Sequence, residues 1–325
     1  MPASPAALRF PHTRVLLPRT RLAYIHLRNL LTDAKRDRAA RISGYVAISL
    51  LEELVILYLI GGEVVNATVR DAKASGTVAI AAAIERVPSE PEYGEICFHE
   101  ADPELLACIF ATNASPPIAW PERFVPQDPA VLFPYLLSVT FDGVVEIVAN
   151  DAVNYLIFRH GTVARTFLAS AHHGTIVDRV AKLFAREGRV GEVRVASWDV
   201  PAPLPVQAPR GLVQAYRDLA TSLVQRLVGE GRESAPAIAE HARQTLVASH
   251  PVLDSFSLTG AAVRDPVTGT EALTAGVAAW IRDVMWAAID HDAMSPEDLL
   301  RELTWERRHL FQSAGLYEQI PWKVM

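Results

Sequence analysis

Residues Gly44 to Ala67 read GYVAISLLEELVILYLIGGEVVNA, and the chain carries a second version of this stretch. Shifted forward by 99 positions without a gap, it lies over Gly143 to Thr166, GVVEIVANDAVNYLIFRHGTVART. Gly44 falls on Gly143, Ile48 on Ile147, Leu57 on Leu156 and Gly62 on Gly161. The flanks agree with small changes of offset: Gly76-Thr77 answers Gly174-Thr175, and Gly94-Glu95 answers Gly191-Glu192. Within the first version, Tyr45 to Leu50 sets Val46, Ile48 and Leu50 on one face, and Leu54 to Ile60 is aliphatic and β-branched. Gly61-Gly62 follows, two residues able to take the positive φ of a tight hairpin. His160-Gly161 holds the same place in the second version, between Tyr155 to Phe158 and Val163-Ala164. Each version therefore reads strand, strand, glycine turn, strand. A helix is expected next, over Gly76 to Val87 and over Thr175 to Arg186, and then a short strand, Glu95 to Phe98 and Glu192 to Val195.

Around this repeat the chain is punctuated by proline. Residues 115 to 129 hold five prolines and 200 to 209 hold four. Fixed φ and a missing N–H favour extended linkers over packed elements. Asp102-Pro103 reads as an N-cap with proline at the first helical position, ahead of a helix over Glu104 to Phe110. Leu22 to Ala34 shows helical spacing of Leu27, Leu30, Leu31 and Ala34. Beyond residue 210 the periodicity is helical: Leu212 to Val228, Ala235 to Ser249 after Ser234, Glu271 to Ile289, and a helix from the Ser295-Pro-Glu-Asp298 capping box to about Phe311. The expected fold class is α+β, with two related β-meander-plus-helix repeats followed by an all-α bundle. The expected boundaries are an extended lead-in at 1–20, a first repeat domain at 21–114, a linker at 115–129, a second repeat domain at 130–199, a linker at 200–210 and a helical domain at 211–325.

Composition narrows the function. Half of the 325 residues are apolar, 21% are charged and the net charge is −6, which disfavours a general nucleic-acid or anionic-membrane binder. Two cysteines, Cys97 and Cys108, make neither a disulfide framework nor a four-thiolate zinc site, and they fit a reducing compartment. The N-terminus is broken by Arg9, Pro11, His12 and Arg14 and lacks a signal-peptide core, and the longest apolar run, Leu54 to Ile60, is too short for a bilayer. A cytoplasmic location is expected, with no integral membrane segment.

His172-His173 is adjacent, so on regular structure the rings point apart and share an ion poorly. His291-Asp292 matches the dipeptide of HD-type phosphohydrolases, with His241 and His250 upstream, which leaves a metal phosphohydrolase in the helical part as one alternative. No Gly-x-Ser-x-Gly elbow or P-loop occurs, and Glu52-Glu53 would alternate sides on a strand. No catalytic residue, metal or cofactor is assigned. Arg36, Arg38 and Arg41, in a charged stretch that reads most simply as a solvated helix end, are the candidates for gripping a phosphate or cyclic dinucleotide in a small-ligand sensor. Trp280, Trp286, Trp305, Phe311, Tyr317 and Trp322 gather toward the C-terminus. Core packing accounts for such a group, Trp280 and Trp305 lying in helical stripes. A partner surface made of Trp305, Arg308, Tyr317 and Trp322 is the functional alternative.

The repeat resembles the PATAN-like family of bacterial signalling domains. The likeness rests on the glycine-led strand Ser43-Gly44 to Ile48, the apolar strand ending in a glycine turn at Leu57 to Gly62, then Val64 to Ala67, and Gly94 to Phe98 at the close. It covers about residues 22 to 112 and, more faintly, 130 to 200, where Arg165 and Thr166 replace Asn66 and Ala67. The resemblance implies a regulatory, protein-binding module of two-component or motility signalling, with no catalytic residues to carry over. The expected function is a non-enzymatic scaffold or adaptor with protein partners and no nucleic acid.

Overall fold

The apolar runs within Gly44 to Ala67 and within Gly143 to Thr166 form strands. In the computed structural model, which describes residues 7–36, 42–88, 90–169, 175–185, 193–256, 265–288 and 295–324, the protein is α+β with two antiparallel sheets. The first contains β1 (Arg14–Arg21), β2 (Gly44–Ser49), β3 (Leu54–Ile60), β4 (Glu63–Arg70), β5 (Ser75–Val78) and β6 (Glu95–Glu100), in the order β1-β6-β2-β3-β4-β5. The second contains β7 (Gly143–Ala149), β8 (Ala152–Arg159), β9 (Thr162–Leu168) and β10 (Arg194–Trp198), in the order β10-β7-β8-β9. Both sheets lie in one compact unit, Met1–Val78 with Ala83–Pro205. The other unit is Ala79–Ala82 with Val206–Met325.

The four strands with counterparts in both sheets keep one register. Tyr45 faces His99 and Val144 faces Trp198, while Leu57 faces Ala67 and Leu156 faces Thr166, each pair 99 residues from its counterpart. Even the bulges match, one at Tyr58/Leu59 and one at Ile157/Phe158. The paired glycines explain why the register is so tightly set. A Cβ on Gly44 would stand 2.1 Å from the His99 carbonyl oxygen, and one on Gly143 would stand 2.2 Å from that of Trp198. In the hairpins, Gly62 (φ 81°) and Gly161 (φ 75°) follow residues that also have positive φ, Gly61 and His160. Gly62 N–H donates to the Ile42 carbonyl at 2.7 Å, and Gly161 N–H to that of Phe141 at 2.9 Å. A Cβ on Gly62 would run into the Ala34 carbonyl oxygen at 2.1 Å, at the end of α1 (Leu27–Arg36).

Other expectations change. The alanine-rich stretch is not one helix: Ser75–Val78 pairs with β4 as β5, leaving only α2 (Ile80–Glu85) helical. β-branched Thr77 and Val78 complete an edge beside β4, and tertiary pairing overrides the local helix preference. The lead-in contains β1, which pairs with β6 through two irregularities. Pro18 is tolerated there because an edge strand can spare an N–H. The shared register aligns Gly94 with Val193 instead of Gly191. Gly174, Gly191 and Glu192 lie outside the described residues.

Helices cover the sheets. α3 (Pro103–Ala114) is capped by Asp102, whose carboxylate accepts the Glu104 N–H at 2.9 Å, and runs past the expected end at Phe110. α4 (Pro129–Ser138) takes its cap, Asp128, from the proline-rich stretch 115–129. That stretch also runs beside β10: Ile118 N–H donates to the Ser197 carbonyl and Trp120 Nε1 to that of Val195. α5 (Ile176–Phe184) opens on a capping box between Thr175 and Asp178. One core joins both sheets to α3, with Tyr45, Ala47, Ile56 and Tyr58 on one side, Val144, Tyr155 and Ile157 on the other, and Leu105, Cys108 and Ile109 from the helix. The opposite face of the second sheet packs Val145, Ile147, Leu156 and Phe158 against Leu132, Leu136, Val180 and Leu183 of α4 and α5. Burial on both faces is why these strands read as continuous apolar runs.

In the second unit, α6 (Arg210–Gly229), α7 (Ala235–Leu246), α8 (Thr270–Ala288), α9 (Pro296–Thr304), α10 (Arg308–Ser313) and α11 (Leu316–Gln319) surround Leu219, Leu223, Val277, Ile281, Leu300 and Phe311. Ser295 caps α9 as expected, but Ser234 makes no side-chain cap for α7. The helix expected to reach Phe311 breaks at a 3-10 turn, Trp305–Arg307. Trp280 is core and donates Nε1–H to the Ala239 carbonyl at 2.9 Å. Among the described residues, no helix is long and apolar enough to cross a membrane.

Candidate functional site

β7 places one charge inside an apolar strand. Glu146 alternates with Val145 and Ile147, so it faces the core between the sheets, where it is only 4% exposed. The equivalent position of the first sheet is Ala47. Around Glu146 stand Arg70 at the end of β4, Thr112 of α3 and Tyr155 of β8. Thr112 Oγ1 and Tyr155 Oη lie 3.2 Å apart, and the Tyr58 and Thr68 hydroxyls pair at 3.0 Å. Burial pushes the Glu146 carboxyl above its ordinary pKa, against Arg70, Thr112, Arg194 and Tyr155, which favour the charged form. Glu146 Oε2 and Arg70 Nη1 are both shut from water without a hydrogen-bond partner. Tyr155 is raised well above the usual phenol range, by burial first and the Glu146 charge second. The cluster holds its carboxyl toward the neutral form in a sealed interior, which suits a structural polar network better than chemistry on a substrate. A lone glutamate inside GVVEIVA was the sequence signal for it.

A second polar cluster joins chain segments far apart in sequence. Tyr45 Oη lies 2.8 Å from His99 Nδ1 and donates toward the carbonyls of Phe10 and Pro11, while the rings of His12 and His99 lie 4.2 Å apart, tilted by 35°. Burial, and then the neighbouring His12, lower the His99 pKa to about 4, so this imidazole is neutral at physiological pH. Both cysteines are free thiols, and burial drives Cys108 up to about 12. Among the described residues, no group of three or more His, Cys, Asp and Glu could hold a metal ion.

The residues singled out from sequence scatter. Arg36 is the exposed last residue of α1, and Arg38 and Arg41 lie outside the described residues. A surface cleft of about 1030 Å³ is at the other end of α1. His26 and Arg28 line it together with Glu85, Glu90 and Glu92, whose carboxylates oppose a bound phosphate. His172, His173, His291 and Asp292 also lie outside the described residues. Of the four expected partner residues, Trp305 (66% exposed) and Arg308 face solvent, so Trp305 is not core. Tyr317 and Trp322 instead pack half-buried on the core of their unit, as the docked tail that includes buried Ile320 and Val324 requires. Trp286, 56% exposed on α8, carries Arg282 over its ring at 5.5 Å and meets Trp322 edge-on at 6.2 Å. This pairing spans α8 and the tail, and sequence spacing could not show it. No protein-family model, curated protein or solved structure matches the chain.

Proposed function

We propose that the protein is a non-enzymatic scaffold or adaptor of bacterial signalling, built from two copies of a PATAN-like unit and a C-terminal helical domain, and working in the cytoplasm on protein partners. The common register supports the duplication. So does a reciprocal pair of contacts: Asn66 of β4 donates to the Pro205 carbonyl beyond β10, and its counterpart Arg165 of β9 pairs with Asp102 and Glu104 beyond β6. Each half thus grips the segment that leaves the other, as subunits of a twofold dimer do.

Partner binding rests chiefly on the solvent-facing tryptophans, above all Trp286 between Arg282 and Trp322. Tryptophan and arginine dominate the energetics of protein interfaces, and here an arginine and two indoles stand together. The test compares partners captured from the native host by the wild type and by a Trp286→Ala, Trp305→Ala variant. The expected result is a defined partner recovered at least about tenfold less by the variant. Equal recovery by both proteins, or no partner above background with either, would contradict the reading.

A further inference from the structure

The two sheets differ at one edge. In the first, β5 lies antiparallel along β4, with Ala67 facing Val78, Val69 facing Gly76 and Asp71 N–H donating to the Ala74 carbonyl at 2.9 Å. That last bond fixes the alternation, so the backbone groups of Val69 and Ala67 point outward into β5. The same register in the second sheet turns the N–H and C=O of Leu168 and Thr166 outward from β9. Ala169 N–H points the other way, to Asn154 Oδ1 at 3.0 Å, as the alternation demands. Among the described residues no strand pairs with this outer edge. Val163 (39% exposed) on β9 and Leu137 (55%) beside the β8–β9 turn add apolar surface to it.

We propose that β9 is a docking strand for a second copy of this chain, pairing antiparallel with β9 of that copy about a twofold axis at Thr166. An open edge of this kind is a template for strand addition. Self-pairing is favoured by side-chain complementarity. With Thr166 on the axis, Arg165 stands opposite Phe167 of the second copy and not opposite another arginine, and Arg165 already lies 4.8 Å over Phe167 within one chain. The pairing gives the second sheet what β5 gives the first, and it rests on the shared register, not on the adaptor reading.

The test is sedimentation of the full chain from micromolar to millimolar concentration. The wild type is expected to pass from monomer to dimer, and Thr166→Pro, which deletes an outward N–H, to weaken association by about tenfold or more with an unchanged circular dichroism spectrum. Should the proline variant not fold, Thr166→Lys decides, since it sets two like charges opposite each other on the axis without touching the ladder. A wild type that stays monomeric throughout, or a folded variant that dimerises as well as the wild type, overturns the proposal.

Discussion

The first sheet surrounds its meander with strands: β1 covers β6 and β5 covers β4. Among the described residues the second sheet has the same meander with neither addition, and Ile118 bridges to it on the β10 side. Inside, the difference is one of charge, with Glu146 standing where the first sheet has Ala47. Yet every shared strand pair keeps its register. What holds the meander in place therefore lies within it, in glycines whose absent side chains let backbones meet, and not in the strands at its flanks.

The largest effect should come from those glycines. Gly44→Ala and Gly143→Ala each drive a Cβ into a carbonyl oxygen of the neighbouring strand. Each is expected to cost about 3 kcal/mol in urea unfolding, the two agreeing within about 1 kcal/mol. If one were tolerated and the other severe, the equivalence of the halves would fail. A smaller effect, dependent on pH, should follow from Glu146. Its folded pKa is raised, so ionisation favours the unfolded chain. The penalty is absent below the ordinary carboxylate pKa and grows as pH rises through the folded value. Glu146→Gln is expected to stabilise by about 1 kcal/mol at pH 8 and by nothing measurable at pH 4. A wild type that instead gains stability over Glu146→Gln as pH rises from 4 to 8 would show that Arg70 holds Glu146 ionised in the folded state.

Much of the meander was legible because it is local. Apolar runs bounded by Gly61-Gly62 and His160-Gly161 specify strands and turns within a few residues. The additions were not. Ser75–Val78 is a short strand beside an alanine-rich run, and only the presence of β4 tells it from a helix start. Matching Gly94 to Gly191 followed residue identity, whereas backbone pairing aligns Gly94 with Val193. Arg36 sits at the far end of its helix from the cleft, and Trp305 falls in a 3-10 turn that no periodicity announced. The pairs Tyr45–His99 and Trp286–Trp322 join segments that only the folded chain brings together.

Residue-resolved hydrogen exchange tests the comparison between the two edges most directly. At dilutions where the protein is monomeric, the amide of Val69, covered by β5, should exchange slowly while that of Leu168 exchanges near the open-chain rate, slowing only as protein concentration rises. A Leu168 amide as protected as Val69 at every dilution, or one that stays fast at every concentration, would contradict it.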